Sequence, residues 1–166
     1  MALFSTNLAV LIRRKLLMDP PNSFHISAYP TQTRTVTFHS GTQPTANQVV
    51  SGWTNYCSTN STFLAIKDIV IKEVSTASFT LNVITTGTTI RSGTATWAII
   101  YNTSTSVTSA TTTASMLLSG TAGTPIVVVP VSDINTTTGV IKLNSANLIA
   151  NSIFTITDFT MILTSP

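Results

Sequence analysis

Acid–base or hydrolytic chemistry needs at least two ionisable side chains within hydrogen-bond reach of one another. The 166-residue chain offers only Asp19, Asp68, Asp133, Asp158, Glu73, His25 and His39. They are scattered, with no paired-carboxylate spacing among them. A metal site built on His25 and His39 needs a third ligand from a loop, and no spacing announces one, so each reads as a lone surface or strand histidine. Cys57 is the sole cysteine. It can be cast with Tyr56 and His39 as a nucleophile pair, but nothing near it in sequence lowers a thiol pKa, and a free cysteine is usually a small buried hydrophobe. A glycine-rich phosphate loop and a G-x-S-x-G elbow are both missing from the sequence. The reading is therefore of a non-enzyme with no catalytic residues, no metal and no cofactor.

Binding chemistry has slightly more to work with. Trp53 and Trp97, together with Tyr29, Tyr56 and Tyr101, could supply a stacking platform for sugars. Trp97 lies in an apolar strand pattern and is expected in the core, which leaves Trp53 and Tyr56 as the candidate ligand-stacking pair. The basic triplet Arg13, Arg14 and Lys15 reads as a solvated helix face that also suits the C-terminal end of a helix dipole, with an acidic partner surface as the alternative. With Pro20, Pro21 and Pro30 it forms the candidate interaction segment. Nucleic-acid binding is not expected, because Lys and Arg are not spread over a face with aromatics between them.

Composition explains what must hold these residues. Only 8% of residues are charged while mean hydropathy is +0.37, so charge cannot be what covers the surface. Thirty-three Thr and nineteen Ser take over that role, and Thr favours the pleated surface of a strand. So little charge gives weak repulsion between copies, which suits a subunit whose surface is occupied by neighbours. The net charge of +3 equals the triplet at 13–15; residues 16–166 balance at five positive and five negative. One cysteine excludes an internal disulfide. The N-terminus lacks the order of a signal peptide, and no apolar run reaches the length of a membrane span, so synthesis in the cytosol and no membrane partner are expected. Sequons at Asn60, Asn102 and Asn135 are read as loop markers, since a Ser- and Thr-rich chain produces them by chance.

Two regions follow from the pattern: an N-terminal helix or arm with a proline-rich tether over residues 1–30, and a β domain over 31–166. Leu8, Leu11, Ile12 and Leu16 fall at helical spacing before Pro20 stops the pattern. Strand signals then recur at Val36 with Phe38, at 49–53, at 63–74, and at 78–84, where Phe79, Leu81 and Val83 alternate with polar residues. In 94–101 Ala95, Trp97, Ile99 and Tyr101 share one face. The 86–93 loop predicts a hairpin joining these last two strands as core neighbours. Residues 102–113, nearly all Ser and Thr, read as an exposed loop. Further strands are predicted at 114–118, at 126–131 as an edge because of Pro130, at 140–143 and at 153–163. In the last, Phe154 and Ile156 fall out of phase with Phe159, Met161 and Leu163, which predicts a β-bulge near Asp158 and a bend between two sheets. Eight or nine short strands with little helix predict an all-β antiparallel β-sandwich or jelly roll carrying a short N-terminal helix or extended arm.

The segment FHSGTQPTANQVVSGWT at 38–54 resembles the strand–turn–strand opening of small virion structural proteins of tailed bacteriophages, which carry a phrase like YSGTQP. Ser40, Gly41, Thr42, Gln43 and Pro44 carry the likeness. SGTATWAIIYN at 92–102 is similar to that group's Gly-Thr-Ala-x-Trp strand, and GVIKLNSANLIANSIFTITDFTMILTSP at 139–166 to its closing pair of strands. The chain departs from the group at Thr96 and Asn151, where the group has glycine. The resemblance implies a place in the virion as a capsid decoration (cement) protein bound to the major capsid protein, or else as a tail, neck or fibre component, for which Trp53 and Tyr56 could supply glycan binding in host recognition. It also implies a homo-oligomer, a trimer by analogy.

Overall fold

The computed structural model describes residues 31–44, 61–75, 78–101, 125–136 and 139–162. They form ten strands: β1 (Thr31–Gly41), β2 (Ser61–Ser75), β3 (Ser78–Leu81), β4 (Thr85–Thr88), β5 (Gly93–Thr94), β6 (Trp97–Tyr101), β7 (Pro125–Asp133), β8 (Ile141–Leu143), β9 (Asn147–Leu148) and β10 (Ile153–Ile162). The predicted N-terminal helix and tether, the strands at 49–53 and 114–118, and the loop at 102–113 lie outside the described residues.

Seven strands follow one another around the wall in the order β3-β2-β1-β6-β7-β8-β10, and β10 pairs back onto β3, so the sheet closes on itself like a barrel. All of these pairings are antiparallel except β7 with β8. The expected two-layer sandwich is not established by this pairing, which runs as one continuous ladder. Closure leaves few unpaired edges, which matters for a chain with too little charge to defend an edge against foreign strands.

The interior is filled from every wall strand: Val36 and Phe38, Leu64, Ile69 and Ile71, Phe79, Ala98 and Ile100, Val129, Ile141 and Leu143, and Phe154, Ile156 and Phe159. Phe38 and Phe154 meet edge to face across it, with centroids 5.3 Å apart and planes at 70°. The two-stranded ribbon β5–β9 sends Leu148 into the same core, and Ala95 beside it follows.

The bulge predicted near Asp158 is present: the β8–β10 register shifts between Ile156 and Asp158. Its effect is to rephase the strand, so that Phe154, Ile156, Phe159 and Met161 all reach the one interior. The partner strand changes with it. β10 pairs with β4 over Ile153–Ile156 and with β3 over Thr160–Ile162. Two other expectations are corrected. The 78–84 strand ends at Leu81, Val83 is exposed, and the chain resumes as β4 in what had read as a hairpin loop. Consequently β3 and β6 are not neighbours; β6 lies between β1 and β7.

β7 is likewise internal, flanked by β6 and β8, despite Pro130. The proline is tolerated for a local reason. Val131 donates its N–H to Thr96 on the β6 side, whereas the Pro130 carbonyl accepts from Val140 on the other side. The missing proline N–H therefore faces β8 one residue before the β7–β8 ladder begins at Val131. A short return brings Ile141 beside Val131, and Gly139 makes it possible. At φ +113° this residue occupies backbone space that L side chains avoid, and a Cβ there would stand 2.8 Å from the Ser132 Cβ.

Candidate functional site

Among the described residues, the ionisable and aromatic side chains singled out from sequence gather at one place, on the outer face of β1, β2 and β6. Alternation sends Val36 and Phe38 inward and Thr35, Thr37 and His39 outward. Across the ladders these three sit opposite Asp68, Ile66 and Phe63 on β2, and Thr37 and His39 sit opposite Ile99 and Trp97 on β6. The outer-facing residues Phe63, Ile66, Trp97, Ile99 and Tyr101 form a second buried cluster.

His39 is the centre of that cluster. Its imidazole stacks on Trp97, with centroids 4.2 Å apart and planes 8° from parallel, and is tilted against Phe63 at 5.8 Å. Nε2 shares a 2.9 Å hydrogen bond with the Thr37 hydroxyl. Burial disfavours the imidazolium and lowers the pKa to about 3. The ring is therefore neutral near pH 7 and enclosed. It can fix a tautomer and fill space, but it cannot exchange protons with a substrate arriving from solvent. The sequence reading of His39 as a lone surface or strand histidine holds for the strand and not for the surface.

The carboxylates are engaged in the wall and its turns. Asp68 accepts from Thr35 Oγ1 at 2.7 Å, its register partner. Asp133 accepts the Ala146 N–H, while its own carbonyl takes both the Thr136 N–H and the Thr136 hydroxyl. Asp158 accepts from Thr160 Oγ1 at 3.4 Å. Asp68 and Glu73 share β2 but face opposite ways, Asp68 beside Thr35 on the outside and Glu73 opposite the core residue Phe79. Four strand residues separate His39 from the Asp68 row, about 13 Å at strand rise. His39 and Asp68 are therefore too far apart to act on one proton. Among the described residues there is no group of three or more His, Cys, Asp or Glu that could hold a metal ion.

Trp97 is fully buried and Tyr101 nearly so, as expected of Trp97, so neither offers a face to a ligand. Arg13, Arg14, Lys15, Pro20, Pro21, Pro30, Trp53, Tyr56, Cys57, His25 and Tyr29 lie outside the described residues. The His39–Trp97 stack was not predicted. It joins residues 58 positions apart, and only strand register brings them face to face.

The residues that carried the resemblance have structural roles. Gly41, in the SGTQP phrase, ends β1 at φ +91°, a conformation suited to glycine. Asn151 holds φ +63° in the turn before β10, where Asn is the common alternative to glycine. Thr96 donates its hydroxyl to the Gly41 carbonyl at 2.6 Å and its N–H to the His39 carbonyl, tying the start of β6 to the end of β1. Comparison with protein-family models, curated proteins and solved structures finds no match to this chain.

Proposed function

We propose that this chain is a non-enzymatic structural subunit of a bacteriophage particle, a capsid decoration protein that stabilises the shell through contacts with the major capsid protein and with its own copies. The supporting observation is how the side chains are allotted. Asp68, Asp133 and Asp158 bond to the chain's own wall and turns, and His39 is neutral and enclosed. The exposed surface instead presents threonine beside aliphatic groups, with Val74, Ile153 and Ile162 on strands and Val83 and Ile84 between β3 and β4 each more than half exposed. Such a surface gains by being covered and has little to offer a reaction. The phage likeness at 40–44, 92–102 and 139–166 supplies the setting.

The test is to locate the protein in intact particles by electron microscopy, and to compare heads with and without it for survival on heating. Copies on the outer shell, with heads lacking them rupturing at lower temperature, would support the reading. Its absence from the head would end the cement version and leave the tail, neck or fibre alternative, in which glycan binding would have to rest on Trp53 and Tyr56.

A further inference from the structure

Three adjacent wall strands, β2, β3 and β10, carry a self-complementary pattern on their outer surface. Strand β3 sets the rows. Ser78 pairs with Ser75 on one side and Ile162 on the other, and Thr80 pairs with Lys72 and Thr160. A bulge between Glu73 and Ser75 turns Val74 outward, so that Val74 and Ile162 flank the first row at 63% and 65% exposure. Lys72 is exposed on the β2 side of the second row. On the β10 side Asp158 shares the outer face with Thr160, to which it is hydrogen-bonded. It lies about 7 Å further along the strand, within reach of a lysine side chain. Each flank of β3 thus bears one aliphatic group and one charge, and the two charges are opposite; Asp158 also has Lys142 opposite it on β8, on the same outer face.

We propose that this wall is a contact between two copies of the chain, related by a two-fold axis running along β3 between the facing surfaces. That axis lays β2 of one copy over β10 of the other. Val74 then meets Ile162, and Lys72 meets Asp158, each contact occurring twice, as an isologous interface requires. The arrangement of charge selects a second copy as the occupant: a wall of one sign would repel itself, whereas this one pairs opposites under the two-fold. Three strands about 4.8 Å apart and four or five residues long make a patch well below the ~800 Å² per partner of a stable interface. The pairing is therefore weak in free solution and strengthens where copies are held side by side. It does not depend on the phage reading.

Sedimentation velocity of the full chain from about 10 µM to 1 mM tests it. A monomer–dimer equilibrium is expected, weakened about tenfold by Lys72→Glu or by Asp158→Lys alone. An equimolar mixture of these two variants should dimerise again, since each then offers the charge that the other needs. Asp158→Lys adds a cation opposite Lys142, so Asp158→Asn is carried alongside and should also weaken the dimer; circular dichroism and melting temperature establish that each variant is folded. A monomer at 1 mM, a trimer, a dimer indifferent to these changes, or folded variants that fail to complement on mixing would each overturn the proposal.

Discussion

The enclosed imidazole of His39 makes the fold sensitive to mild acid, with a sign and size that follow from its surroundings. The unfolded chain binds a proton at His39 with a pKa near 6.5, while the folded chain holds the same site to about 3 by burial. Below pH 6.5 the unfolded state therefore carries more protons than the native state, and stability falls with pH. The contribution is complete above about pH 6.5 and is lost progressively down to about pH 3. Linkage puts the loss relative to pH 8 at about 2 kcal/mol at pH 5 and somewhat over 3 kcal/mol at pH 4. The ordinary imidazole pKa of 6.5 lies inside the interval between pH 8 and 5, which is therefore the interval to measure. The assay is urea unfolding at several pH values, in a background where His25 is replaced so that only one imidazole titrates. The control is His39→Phe with Thr37→Val, which keeps a ring against Trp97 and removes both partners of the 2.9 Å hydrogen bond together. The single-histidine protein should lose about 2 kcal/mol by pH 5, and the control should stay nearly level. A folded-state imidazole resonance that titrates near pH 6.5, or equal stability at pH 8 and pH 5, would refute the reasoning.

Three further substitutions test the wall and its turns. Thr89 is buried and its hydroxyl has no hydrogen-bond partner among the described residues; Thr89→Val keeps the shape without the unpaired oxygen and should leave stability equal or raise it by about 1 kcal/mol in thermal unfolding. Gly139→Ala should destabilise by about 1–3 kcal/mol, because a Cβ at φ +113° meets Ser132 in the tight return from β7 to β8. At Asn151, glycine should be neutral or slightly stabilising in chemical denaturation, whereas valine should cost about 1–2 kcal/mol.

Local chemistry wrote the parts of this fold that depend on neighbours in sequence. The inward Val36 and Phe38 of β1, the apolar run of β6 and the rephasing at Asp158 could be read directly, because strand alternation and a bulge leave their mark within a few residues. Register could not. Nothing local says that β3 stops at Leu81 and that the chain re-enters the same seam as β4, since both strands are defined by the single long partner β10. Pro130 misled for a related reason: whether its missing donor matters depends on where β8 starts pairing, and that is set by the return through Gly139. His39 is the sharpest case at the candidate site. In sequence it reads as a lone surface or strand histidine, and only the juxtaposition of β1 with β6 turns it into a ring stacked on Trp97.

The two departures from the phage-like pattern bear on how far that likeness carries. A glycine required by backbone conformation should be exchangeable only for a residue that tolerates the same region, and Asn151, at φ +63°, fits the exchange that the resemblance implies. Thr96 behaves differently. Its hydroxyl bonds to Gly41, the glycine of the SGTQP phrase, so the second departure is compensated within the first motif. Removing that bond by Thr96→Gly should loosen the junction of β1 with β6, at about 1 kcal/mol for the hydrogen bond and somewhat more for the added chain entropy. Amide exchange at Thr96 and Val131 would report the loosening, since both N–H groups bond at this corner. Unchanged protection at both amides would mean that the 40–44 and 92–102 segments do not support one another, and the likeness would then rest on two separate turns instead of one coupled corner.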